Sequence, residues 1–105
     1  MLNFIKNLFS KNEPTINFKT LVAEGALIID VRQPHEFANG HVLGSVNIPL
    51  DLLAAELPNL DKNKPVITCC LSGMRSGVAR NSLLREGFSE VHNGGGWVAL
   101  SNKLQ

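Results

Sequence analysis

Apolar residues along this chain fall into short blocks separated by polar turns. Leu27-Ile28-Ile29-Asp30-Val31 and Pro65-Val66-Ile67-Thr68-Cys69-Cys70 are nearly continuous β-branched runs. A strand with one wet face alternates apolar with polar residues, so runs this continuous predict strands buried on both faces. Ser45-Val46-Asn47-Ile48 and Glu90-Val91-His92 predict shorter strands. Helix-like segments lie between them. Thr20 to Glu24 is short, and Pro34 to Ala38 starts with a proline suited to a first turn. Asp51 to Leu57 starts with an aspartate placed to cap, and Ser76 to Glu86 ends at Gly87. The alternation predicts an α/β domain with a mainly parallel sheet and helices on both faces. Ligands of such sheets bind beyond the carboxyl ends of the strands, where Cys70 falls.

Composition narrows the picture. With 105 residues, 44% of them apolar, the chain is long enough for one core and too short for two. The net charge of +1, from ten basic and nine acidic residues without a block of either sign, argues against a nucleic-acid groove or a polybasic membrane patch. Tyrosine is absent and there is one tryptophan, which also argues against a base-stacking surface. The two cysteines are adjacent and cannot form a disulfide framework, so a reducing cytoplasm is expected. Residues 1–12 form an amphipathic amino-terminal segment and residues 13–105 the domain, with Lys11-Asn12-Glu13-Pro14 at the junction. Phe4, Ile5, Leu8 and Phe9 fall at helical spacing, placed to dock on the domain or on a partner. Asn3, Lys6 and Asn7 interrupt the run, no small-residue cleavage site follows, and no stretch of about 18 apolar residues exists. A soluble chain is expected.

The chemistry concentrates in Cys70-Leu71-Ser72-Gly73-Met74-Arg75-Ser76. A strand that ends in cysteine, turns tightly and enters a helix aims several backbone N–H groups and the positive end of the helix dipole at one point. A thiol held there ionises easily, and Arg75 adds a permanent cation whose planar fork fits an oxyanion. Unpaired cysteine is also a common core residue, and for Cys69 that plain reading is preferred. Consecutive side chains on a strand point to opposite faces, so only one thiol can lead the loop. Counted from Cys69, Arg75 completes the Cys-x5-Arg spacing of cysteine-dependent phosphatases; counted from Cys70, the spacing is Cys-x4-Arg. Those phosphatase loops have a glycine three residues after the nucleophile, and Gly73 is three after Cys70. The register selects Cys70, and the shorter loop suits an added sulfur atom better than a bound phosphate.

Cys70-x-x-Gly-x-Arg-Ser after a β-branched strand resembles the active-site loop of rhodanese-like sulfurtransferases. Asp30-Val31-Arg32, Glu36-Phe37, Gly40-His41-Val42, Gly44 and Asn47-Ile48-Pro49 resemble the pattern that opens such domains. Gly87-Phe88, Val91, Asn93, Gly95-Gly96 and Trp97 resemble the pattern that closes them. The resemblance runs over roughly residues 15–103. It implies a rhodanese-like three-layer fold, with a mainly parallel sheet of about five strands and helices on both faces, in which Cys70 takes a sulfane sulfur from thiosulfate or a persulfide and passes it to cyanide or a thiol. The amides of Leu71, Ser72, Gly73, Met74, Arg75 and Ser76 would hold the persulfide as fixed donors. Arg75 either orients an anionic donor or closes the loop on backbone carbonyls; Ser72 and Ser76 offer hydroxyls to the pocket, or Ser76 caps the helix. No general base and no cofactor are implied, because a thiolate is already a competent nucleophile. Leu71 and Met74 are apolar where a charged residue would favour a dianionic donor, which points toward a small or protein-borne persulfide. Expected partners are therefore small sulfur donors, thiol acceptors and a protein donor or acceptor.

Other classes remain open: a persulfide carrier that works docked to a partner enzyme, a phosphatase or arsenate reductase, and a non-catalytic binding module. The shorter loop weighs against the second and the intact cysteine against the third. Asp30, Arg32 and Glu36 read as structural, with Arg32 and Glu36 four apart at a helix start and placed for a salt bridge or a turn-stabilising network. His35, His41 and His92 lack ligand spacing, so no metal is expected. The run Gly94-Gly95-Gly96 lacks a following Gly-Lys-Ser/Thr, and reads as backbone passing close to the loop with Trp97 beside it.

Overall fold

The computed structural model describes residues 15–105. The amphipathic segment assigned to residues 1–12 lies outside them. Four strands form one sheet: β1 (Leu27–Asp30), β2 (Val46–Asn47), β3 (Val66–Cys70) and β4 (Val91–Gly96), in the order β2-β1-β3-β4 and all parallel. Among the described residues five α-helices accompany them: α1 (Phe18–Ala23), α2 (Pro34–Ala38), α3 (Leu53–Glu56), α4 (Met74–Arg85) and α5 (Trp97–Lys103).

The period of two separates the core into halves. On one face Ile29, Val31, Val66, Cys70 and Val91 pack with Leu53 of α3 and with Ala79 and Leu83 of α4. On the other, Ile28, Ile67 and Cys69 pack with Leu100 of α5, and Phe18, Leu21 and Val22 of α1 complete that layer. All five residues of β3 are buried, as its unbroken apolar run predicts for a central parallel strand. Burial of this kind is what holds the strand ends in register; truncating a side chain such as Leu83, 0% exposed, to alanine costs about 2–5 kcal/mol.

The sheet has four strands rather than about five. Each corresponds to one of the four runs, and no further β-branched run adds another. The third helical segment differs from the expected Asp51 to Leu57. Pro49, at φ −52°, opens a 3-10 turn over Leu50–Leu52, α3 covers only Leu53–Glu56, and a second 3-10 turn over Leu57–Asn59 contains Pro58. Asp51 caps nothing; its carboxylate accepts a long bond from the Gln33 side chain at 3.4 Å. β4 extends through the glycine run, and pairing with β3 shifts there. Thr68 faces Asn93, but Cys70 faces Gly96, so β4 carries one extra residue. That bulge brings the end of β4 beside the loop after Cys70.

Candidate active site

Cys70 ends β3, three residues turn, and α4 begins at Met74. The turn depends on Gly73, whose φ of 104° is left-handed and open to glycine at little cost. Gly73 is also the N-cap of α4 and has no side chain to cap it. The sulfur of Cys70 does that work: Sγ accepts the Gly73 N–H at 3.0 Å and the Ser76 N–H at 3.4 Å, and lies 3.3 Å from Ser76 Oγ. Amides left unpaired at a helix start thus converge on one sulfur atom, with the helix dipole behind them. Cys70 is 1% exposed. Burial alone pushes its thiol pKa up and is the largest single influence. The Ser76 hydroxyl and the amides of Ser76, Gly73 and Ser72 together outweigh it, so the net shift is downward.

Cys69 meets the opposite surroundings. Its side chain lies in the second core half with Ile28, Ile67 and Leu100. Burial first, then the Asp30 carboxylate, push its thiol up to about 12, with only partial opposition from Arg32. It is a neutral core residue at physiological pH, as its register predicts.

Ser76 does not cap α4. It sits within the first turn, fully buried, because the helix starts at Met74. Its hydroxyl donates its one proton to Asn93 Oδ1 at 2.7 Å, and the same oxygen lies 3.3 Å from Cys70 Sγ, to which that proton can turn when the thiol ionises. Asn93 is itself fixed: Nδ2 donates to the Gly73 carbonyl at 3.1 Å, and Oδ1 accepts the Gly95 N–H at 2.9 Å. Thr68 donates its hydroxyl to the Ser76 carbonyl at 2.8 Å. β4 therefore braces the loop from outside it. Gly96 completes the brace, since a Cβ at that position would stand 2.7 Å from the Leu71 carbonyl oxygen. Asn93 enters the sequence reading only as part of the closing pattern; its contact with the loop depends on β3–β4 pairing, which no local spacing reports.

Arg75 does not close the loop on backbone carbonyls. Its guanidinium is bonded to the Glu36 carboxylate by two parallel bonds, Nη1 to Oε1 at 2.8 Å and Nη2 to Oε2 at 3.0 Å. The Arg75 hydrogen bond is the first cause that holds the Glu36 carboxyl down at about 2. Of the two arrangements expected for Arg32 and Glu36, the salt bridge is not formed, and a network that ties the turn to Arg32 is. Arg32 instead grips Asp30, with Nη2 to Oδ2 at 2.7 Å, and donates to the carbonyls of Gly40 at 2.7 Å and Glu36 at 3.3 Å. Both partners are buried, and Trp97 stacks 4.9 Å from the Arg32 guanidinium carbon. Asn47 Nδ2 ties the carbonyls of Asp30 and Arg32. These residues knit the strand ends together, in keeping with a structural role. His41 anchors its loop through Nδ1 to the Phe37 carbonyl at 2.7 Å. Among the described residues no group of His, Cys, Asp and Glu side chains is placed to hold a metal ion, and no helix is long and apolar enough to cross a membrane. Leu71 and Met74 stand outward on the loop, 63% and 79% exposed.

Known proteins resemble this chain in sequence and in fold. Thiosulfate sulfurtransferase GlpE of Stutzerimonas stutzeri is 41% identical over 69 residues, covering 66% of this chain and 63% of that one. Protein YqhL of Bacillus subtilis is 40% identical over 81 residues, covering 76% and 64%. The chain thus spans a little under two thirds of the length of these two relatives. Among solved structures, a rhodanese with anions from Escherichia coli is 37% identical with a TM-score of 0.63, covering 70% of this chain and 89% of that one. The rhodanese-like domain model matches residues 16–103, from ahead of α1 to the end of α5, and the chain belongs to that family.

Proposed function

We propose that the protein is a rhodanese-type sulfurtransferase that carries sulfane sulfur as a persulfide on Cys70. The observation that carries this reading is the convergence of the Gly73 and Ser76 amides on Sγ, with the Ser76 hydroxyl oxygen 3.3 Å away. Fixed donors aimed at one sulfur stabilise negative charge there without reorienting during the reaction.

In the first half-reaction the Cys70 thiolate attacks the outer sulfur of thiosulfate. A new S–S bond forms, the old one breaks, and its electron pair leaves with sulfite. With a persulfide donor, the donor thiolate leaves instead. The negative charge moves to the terminal sulfur, where the amides of the Leu71–Ser76 loop receive it. In the second half-reaction cyanide or a thiolate attacks that terminal sulfur, forming thiocyanate or a new persulfide and restoring the Cys70 thiolate. No outside oxidant or reductant, general base, metal or cofactor takes part. The chemistry requires thiols that stay reduced, as in the cytoplasm.

The exposed apolar side chains of Leu71 and Met74 favour a persulfide over a dianion as donor, and a protein-borne persulfide fits the same surface. The test is direct. The protein is incubated with thiosulfate, and separately with a small persulfide, and its intact mass is measured. One added, cyanide-labile sulfur that is absent from the Cys70→Ser variant is the expected result. If neither donor loads a folded, reduced sample, free-standing sulfur transfer fails and a partner-docked persulfide carrier or a binding module becomes the better account.

A further inference from the structure

Arg75 stands on the first turn of α4, five residues after Cys70 and close enough for the two groups to interact electrostatically, and its guanidinium is the loop's one cation. Its fork is closed. Two charge-assisted bonds of 2.8 and 3.0 Å hold it to Glu36, a residue 39 positions away on a different helix. Glu36 is well anchored there. Oε1 also accepts the Gln33 N–H at 3.0 Å, and its backbone carbonyl accepts from Arg32. The pair is reachable from solvent, the side chains being 35% and 22% exposed. Any anion that uses Arg75 must therefore displace a carboxylate already matched to the fork. The neighbouring loop side chains, Leu71 and Met74, supply no charge in compensation.

We infer that Glu36 is a built-in competitor for anions at Arg75, a specificity determinant that turns the Cys70 site away from dianionic thiosulfate and toward donors of lower charge. The inference rests on the sulfurtransferase reading and names its donor class. Glu36 acts through Arg75 and is a positioning residue.

Glu36→Gln tests it, because glutamine keeps the shape and the acceptor for the Gln33 N–H but removes the charge. Two donors are compared: thiosulfate, and the persulfide of 2-mercaptoethanol, whose only charge is on sulfur. The ratio of kcat/KM for thiosulfate to that for the persulfide should rise about tenfold, the size of about 1.4 kcal/mol, chiefly through a lower KM for thiosulfate. Adding Arg75→Gln to the variant should remove the gain. A loop merely loosened by the substitution would change both donors alike and leave the ratio unmoved; that result, or an unchanged thiosulfate KM, overturns the inference. A binding measurement separates this from failure of the functional reading. Thiosulfate is titrated calorimetrically into Cys70→Ser, which cannot turn over, with and without Glu36→Gln. Binding about tenfold tighter in the double variant, with a gain that shrinks as salt is added, supports the competition even if neither donor loads the wild-type protein. Equal binding overturns it.

Discussion

Cys69 and Cys70 are neighbours in one strand and are both almost wholly buried, at 0% and 1% exposed, yet they are chemically different groups. Cys69 points into an apolar layer beside a carboxylate, and its thiol is held in the protonated form. Cys70 points to the other face, where a helix start and a hydroxyl surround the sulfur with donors and favour the thiolate. Burial opposes ionisation at both positions. What differs is the supply of hydrogen-bond donors, and that follows from which face of β3 each side chain occupies. Reactivity here belongs to the loop and helix that meet the strand, not to the residue type.

The comparison breaks most completely at the sulfur itself. Cys70→Ser should abolish sulfur loading and Cys69→Ser should largely preserve it, as read by intact mass after incubation with a donor; the reverse result would overturn the assignment. Next in size is the brace from β4. In Gly96→Ala the new Cβ meets the Leu71 carbonyl oxygen at 2.7 Å, and the loop must shift. A loss of about 1–3 kcal/mol in urea unfolding is expected, together with slower loading of Cys70 and no change in the protection of Cys69 from alkylation. A smaller effect comes from Ser76→Ala. With one donor to Sγ removed, the Cys70 thiol titrates higher and less thiolate is present at neutral pH. One hydrogen bond of about 1 kcal/mol should slow iodoacetamide alkylation at pH 7 about fivefold, with the rate recovering at higher pH. A rate that stays low across the whole pH range would instead mean the loop had collapsed.

The smallest effect sharpens the contrast through stability. Cys69 titrates at about 12 in the folded protein and near the ordinary thiol value of about 8.5 when unfolded. Between those values the unfolded chain loses a proton that the folded chain keeps, so stability falls as pH rises through that window. Cys70, with its lowered value, acts with the opposite sign: its contribution is present above the ordinary thiol value and is lost as pH falls through the folded one. Urea midpoints measured across the alkaline range should decline less steeply for Cys69→Ala than for the wild type.

Most of the scaffold was legible in the sequence. Unbroken β-branched runs marked β1 and β3, and Pro34 marked the start of α2 to the residue. Strand periodicity was enough to send Cys69 and Cys70 to opposite faces, and the spacing to Gly73 placed the turn. The structure departs from the sequence pattern where a contact or an element's end depends on more than local spacing and residue type. Arg32 and Glu36 are four apart but bond elsewhere through their side chains, Arg32 to a buried Asp30 and Glu36 to Arg75. Ser76 looked like a cap because capping residues resemble it, but the helix starts two residues earlier, where a sulfur atom takes the amides. Glu90-Val91-His92 looked like a short strand because glycine has little strand propensity, whereas pairing with β3 carries β4 through to Gly96.

By itself, then, the sequence determined the parallel α/β layers, the family pattern and which cysteine leads the loop. These depend on hydrophobic period and on backbone geometry over a few residues. Only the tertiary structure decided that Asn93 braces the loop, that Gly96 lies against the Leu71 carbonyl and that Glu36 occupies Arg75. Those contacts join residues 17 to 39 positions apart, and they exist because parallel pairing of β1, β3 and β4 brings their carboxyl ends to one edge of the sheet. Charge and hydrogen bonding act over a few ångströms, so partners are set by that edge and not by spacing along the chain.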